Sequence, residues 1–165
     1  MITPEYCVEM ARYNQWQNNG LRDLVKGMSE DDLRKDRGAF FNSISETLEH
    51  ILIADKLWTN RLDPAFAAPE INDQPRPIAE WSDERHEMDV AILGWAEGLS
   101  VADLAGDVHW SSMIYGKDFV HSKALCLTHM FNHQTHHRGQ VHAMMTATGQ
   151  SPIDTDLVFM PQGDT

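Results

Sequence analysis

Cysteine is nearly absent from this chain: Cys7 and Cys126 stand far apart, with no CxxC pair and no paired framework. A disulfide-stapled scaffold is excluded, and two unpaired thiols fit a reduced compartment. Basic residues are also few. Thirteen Lys plus Arg against 25 Asp plus Glu leave a formal charge of −12, which repels a phosphate backbone or an anionic membrane surface and argues against a nucleic-acid partner. Nowhere does an apolar run approach the roughly 18 residues a membrane span needs. The opening "MITPEYCVEMARYNQW" lacks a basic start followed by an apolar core, so no export signal is read and a cytoplasmic location is expected. Internal repeats and low-complexity tracts are missing too.

What remains, over 165 residues, is enough for one domain, 1–165, with a core of its own. Thr3 followed by Pro4 reads as an N-cap and first helical position. Tyr6, Met10, Tyr13, Leu21 and Leu24 continue at helical spacing until Gly27. A second helix opens at Ser43, three residues before Glu46, the spacing of a capping box. It carries Ile44, Leu48, Ile51, Leu57, Trp58 and Leu62 and stops before Pro64. "DPAFAAPEINDQPRP" follows, with too many prolines to be helical. The third helix has the clearest heptad, Ile78, Trp81, Met88, Ile92, Trp95 and Leu99, interrupted only by Arg85. From Gly98 to about Ser122 the periodicity dissolves, with turn residues and a short hairpin around Gly116 as the reading. A fourth helix spans about Ser122 to Thr148, closed by Gly149 and Pro152. Four long helices predict an all-α protein, a four-helix bundle with a long connection between its third and fourth helices.

Six of the nine histidines fall between residues 121 and 142. Along the last helix the apolar stripe Cys126, Met130, Val141, Met144 has two positions left to fill, 133 and 137, and both are histidine. Residues at i and i+4 share a face, so His133 and His137 can direct their imidazoles to one point inside the bundle. His50, in the second-helix row Thr47, His50, Ala54, Leu57, is the histidine on another helix that faces inward. Three neutral imidazoles from two helices make a His₃ centre with open positions, the pattern of a catalytic site. His86, His109, His121 and His142 read as ordinary solvated or hydrogen-bonded side chains, and Cys126 as a small buried apolar residue.

Other bundle chemistries fail on the same residues. A ferritin-like di-iron site needs Glu-x-x-His pairs; none exists, and the last helix has no acidic residue. A hemerythrin-like site needs bridging carboxylates, yet no histidine is followed four residues later by Asp or Glu. HExxH and CxxCH are absent as well.

"HMFNHQTHHRGQVHAMM", with "LEHILIADKLW", "RYNQWQNNGL" and the tail "GQSPIDTDL", resembles the corresponding segments of the DinB/YfiT-like family of proposed metalloenzymes over nearly the whole chain. The resemblance implies a four-helix bundle, homodimerisation, and a divalent metal held by one histidine of the second helix and two of the last. Those positions are here His50, His133 and His137. His129 and His136 compete, each within a turn of His133; His136 is expected to face the surface or a neighbouring helix, and His129 to line the mouth of the pocket. Tyr13, Asn14, Trp16 and Asn18 match the family's first helix and are read as packing residues. Imidazole suits zinc or nickel, with cobalt and iron also compatible. By similarity to characterised relatives, the expected activity is that of a metal-dependent transferase. It would use a low-molecular-weight thiol and act on a small electrophilic molecule. Alternatives are a metal-dependent hydrolase using bound hydroxide and a non-catalytic, stress-associated metal-binding protein. Glu49, Asp55, Asp154 and Asp156 are weighed as orienting partners for a ligand histidine, against the plainer reading of exposed capping carboxylates. Of Arg61, Arg85 and Arg138, any that reaches the pocket would favour an anionic ligand.

Overall fold

A computed structural model of the chain describes residues 2–72 and 74–162. Met1 and residues 163–165, inside the expected domain, and Asp73, inside the expected proline-rich loop, lie outside the described residues. The chain is mostly helical: α1 (Pro4–Val25), α2 (Glu30–Arg34), α3 (Ile44–Leu62), α4 (Ile78–Glu97) and α5 (Lys123–Ala147). Two antiparallel strands, β1 (Asp107–Ser112) and β2 (Lys117–Ser122), stand between α4 and α5. The hairpin read around Gly116 is thus present, and it adds a small two-stranded sheet to the otherwise helical chain. Its signal is short: Val108, Trp110 and Ser112 alternate inward on β1, and Trp110 pairs across with Phe119.

Local chemistry places the helix starts where they were expected. Thr3 accepts from the Tyr6 amide, Ser43 and Glu46 form a reciprocal capping box, and Ser122 accepts from the Leu125 amide. The five-residue α2, capped by Ser29, is an addition that periodicity is too short to reveal. Ser45 donates to the Leu33 carbonyl and binds α2 to the start of α3.

α1 packs on α4, α3 on α5, and α3 with α4 and α1 with α5 complete the contacts among the four long helices. Leu48, Ile51, Leu52, Ile92, Leu127, Met130, Phe131, Val141 and Met145 form the apolar centre. α1 departs from its expected stripe. Cys7, Ala11, Asn14, Gln17, Asn18, Leu21 and Val25 are the buried residues beside Tyr13, whereas Tyr6, Met10 and Leu24 sit at the margin. The polar members have partners that sequence spacing does not show. Asn18 donates to Asp89 at 2.9 Å, Gln17 donates to the Asp154 carbonyl at 2.7 Å, and Tyr13 donates to the Thr155 carbonyl. The tail is thereby laid along α1, and Ile153 fills the space above Gly20, where a Cβ would come within 2.5 Å of it.

Arg85, the break in the α4 heptad, is fully buried. Its guanidinium meets Asp55 of α3 at 2.6 Å and Asp89 of α4 at 2.8 Å, both carboxylates being almost wholly buried. Arg138 of α5, also buried, donates to Asn14. Desolvation pushes the Arg138 guanidinium down to about 10. A buried polar layer thus crosses all four long helices, with its charges on α3, α4 and α5 and the amides of Asn14 and Asn18 on α1. The expectation of an exposed Asp55 is overturned, as is that of an exposed Glu49, which is buried against Arg76 at 2.9 Å.

Candidate metal centre

α3 carries His50 and α5 carries His133 and His137, and the packing of these two helices brings the rings together. Ring centroids lie 4.9 Å apart for His50 and His133, 4.6 Å for His50 and His137, and 4.4 Å for His133 and His137. The Nε2 atoms of His50 and His133 are 3.1 Å apart, and one ring nitrogen from each of the three falls within 4.8 Å of the others. Two nitrogens bound to one tetrahedral zinc at about 2.05 Å stand about 3.3 Å apart. The donor set and its spacing fit a divalent ion.

Protonation favours the same use. Burial, then the neighbouring His137, pushes His50 down to about 4. Burial, then His137, His50, His129 and His136, pushes His133 down to about 3. His137 is lowered mainly by burial. Neutral imidazoles keep a lone pair for a cation, and each shift arises chiefly because burial disfavours the charged ring, with the neighbouring imidazoles adding to it.

Three contacts orient the rings. Gln140, one turn beyond His137, has its Oε1 2.7 Å from His137 Nδ1, so an Nδ1–H donated there leaves Nε2 as the free acceptor. Phe41 lies flat on His50, centroids 3.9 Å apart at 24°, and meets His137 edge-on at 5.4 Å. The turn that delivers it closes through the Asn42 amide on the Ala39 carbonyl, with Asn42 in the left-handed region at φ 58°. Asparagine tolerates that conformation better than most side chains. Phe40, largely exposed, packs edge-on against Phe41.

None of the four carboxylates weighed as orienting groups does so. Glu49 is engaged by Arg76 and Asp55 by Arg85, while Asp154 and Asp156 are exposed. Gln140 takes the role instead, and its position three residues after His137 was the available signal. Phe41 offered none, because a loop residue has no periodicity. His129 and His136 are both exposed and outside the triad. His129 lies 5.6 Å from His133 by ring centroid, and His136 contacts His137 and Gln140 from the surface side. His86 and His109 are exposed, and His121 accepts from the Trp110 indole. Among the described residues, neither cysteine is near a ligand position, and both are buried free thiols. No described helix is long and apolar enough to cross a membrane.

A helical scaffold that gathers three neutral imidazoles from two helices, with no carboxylate in the group, defines a protein with a potential mononuclear His₃ metal site. The DinB family model matches residues 1–164, and the chain belongs to the DinB family. It is also similar to Protein DinB of Bacillus subtilis (strain 168), 23% identical over 160 residues, covering 92% of this chain and 91% of the relative.

Proposed function

We propose that the four long helices form a DinB-type four-helix bundle, a homodimer of the cytoplasm, that works as a metal-dependent thiol transferase on small electrophilic molecules. The observation that carries this reading is the convergence of His50, His133 and His137, with two Nε2 atoms 3.1 Å apart. These residues would hold zinc or nickel, and three protein ligands leave positions for an incoming group. The cation supplies charge that acidifies a coordinated thiol or water.

The residues around the site support thiol over water as the nucleophile. Hydrolysis calls for a base that takes up a proton from water. Glu49 and Asp55 are consumed in ion pairs, and no carboxylate shares the cluster. A thiol needs less help, because its own pKa is already near 8.5. Gln140 holds the His137 ring, Phe41 clamps His50, and the apolar Phe41 face excludes water from that side.

Metal analysis of untagged protein, with melting curves before and after adding zinc or nickel, tests the first step. At about 100 times Kd a bound ion adds roughly 2.7 kcal/mol, or a rise of roughly 5–11 °C for a chain this long. His133→Ala is expected to abolish that rise and His142→Ala to keep it. Equal behaviour of the two variants refutes the assignment. For the second step, loaded protein is mixed with a chloro-nitroaromatic electrophile, with and without a panel of small thiols. Turnover that needs no thiol refutes the transferase reading.

A further inference from the structure

Past the triad, α3 and α5 run on toward the hairpin, and the surface between them is built of rings. Trp58 of α3 lies 4.7 Å from His129, which is one turn before His133. Trp58 meets Trp110 of β1 edge-on at 5.3 Å, and Trp110 stacks on Phe119 of β2 at 4.7 Å. The Arg61 guanidinium stands over both indoles, 4.7 Å from Trp58 and 4.4 Å from Trp110.

Its electrostatic setting is unusual. Acidic residues outnumber basic ones by 25 to 13 in this chain, yet no carboxylate among the described residues lies within ion-pair distance of Arg61. Arg85, in contrast, meets two. Among those residues the one hydrogen bond of Arg61 goes to the Ser111 carbonyl at 3.2 Å, and none of its other nitrogens is sealed away from solvent. Burial disfavours its charge. Aromatic faces hold the guanidinium from the sides, one terminal nitrogen rests on the Ser111 carbonyl, and the nitrogens left open to solvent can donate to a carboxylate.

We propose that Arg61 is the specificity-determining residue of the site. It recognises a carboxylate at the far end of a ligand whose thiol end is held at the triad and whose body lies across the exposed His129 ring, which Trp58 backs. This rests on the thiol reading of the metal centre. Trp58 and Arg61 follow His50 by 8 and 11 residues, roughly 12–16 Å along the helix at 1.5 Å per residue. The ligand is therefore extended, with its two ends roughly 12–16 Å apart.

Zinc-loaded protein is titrated, by calorimetry and tryptophan fluorescence, with straight-chain mercaptocarboxylates of graded length, with mercapto-alcohols of matched length, and with thiol-free carboxylates. Longer mercaptocarboxylates are expected to bind at least about tenfold tighter than their matched alcohols. In Arg61→Gln and in Arg61→Met, which keeps the stem over the indoles, that ratio should fall below about twofold with the alcohols unchanged. Arg61→Lys should retain part of it. An acid-to-alcohol ratio that the variants leave intact, or that is near unity in the wild type, makes Arg61 a strut between α3 and the hairpin and overturns the proposal. Thiols that bind without acid preference therefore leave the metal reading standing while Arg61 falls. If thiol-free carboxylates bind in an Arg61-dependent way while thiols add nothing, the thiol reading falls and Arg61 stands. If nothing binds, both fall.

Discussion

Arg85→Met removes the cation that both Asp55 and Asp89 touch and leaves two carboxylates in the centre of the helical packing. Arg85 is 0% exposed and the acids 1% and 2%, so water cannot replace the lost contacts without opening the core. Asn18 still donates to Asp89, but Asp55 loses its 2.6 Å ion pair outright. Removing one member of a buried pair typically costs about 3–5 kcal/mol. With roughly 2–4 °C of melting temperature per kcal/mol at this length, the midpoint should fall by roughly 6–20 °C. The sign with pH follows from the acids. Burial already raises both in the native protein, against the lowering influence of Arg85, and its loss raises them further. A carboxyl whose folded-state pKa exceeds its unfolded value contributes stability below the unfolded value and loses it as pH rises through the folded one. The variant's deficit should therefore be smaller at pH 5 than at pH 8. Guanidinium unfolding followed by circular dichroism at both pH values measures it. The combined variant Asp55→Leu, Arg85→Met, Asp89→Leu, which leaves no charge stranded, should recover most of the loss. A single-variant deficit under about 1 kcal/mol at pH 8, or one that grows on acidification, refutes the account of a charge layer held by mutual pairing.

Gln140→Leu should weaken zinc or nickel affinity by about 10–100-fold by freeing the His137 ring, with Gln140→Glu retaining most of it; competition with a chromogenic chelator reads the change, and an unaltered affinity removes Gln140 from the orienting role. Phe41→Ala uncovers His50 and should speed metal loss to a chelator, whereas Phe40→Ala, at an exposed ring, should not; equal rates in all three proteins count against the clamp. Both thiols are buried, and desolvation pushes Cys7 up to about 11. Native protein at pH 8 should therefore be nearly inert to a thiol-specific chromogenic reagent, and denatured protein should titrate two thiols. Rapid native labelling contradicts the burial.

The histidine cluster was more legible in the sequence than its support. His133 and His137 betray themselves because they occupy positions that an otherwise apolar stripe leaves for core residues, and i, i+4 spacing carries three-dimensional information within one helix. His50 could be paired with them because it lies beside the inner stripe of another helix. Helix starts were legible for the same reason: Thr3, Ser43 with Glu46, and Ser122 act on amides within three residues. The charge layer obeys no local rule. Asp55 and Arg85 are 30 residues apart, so an acid on α3 looks exposed until α4 brings its cation. Arg85 looked like a fault in a heptad for the same reason. Phe41 comes from a turn, whereas the hairpin was legible through its turn residues around Gly116, its alternation being too short to fix the strand ends.

The two polar layers are set by one rotation of α5. Consecutive helical residues are displaced by about 100°, so His133 and His137 face α3 while Gln134 and Arg138, one residue on, turn toward the charge layer where Arg138 finds Asn14 of α1. A helix that presented only apolar side chains on both faces could rotate or slide at small cost, because Leu, Met and Val packing tolerates repacking when volume is kept. Here a rotation large enough to carry the imidazoles off His50 also strips Arg138 of its hydrogen bond to Asn14 and leaves buried guanidinium N–H groups unsatisfied, which costs about 1–3 kcal/mol or more. On α3 the same logic links His50 to Asp55, five residues later and held by Arg85. The Nε2 atoms of His50 and His133 are held 3.1 Å apart because the helices bearing them are indexed by buried polar contacts whose alternative positions are worse.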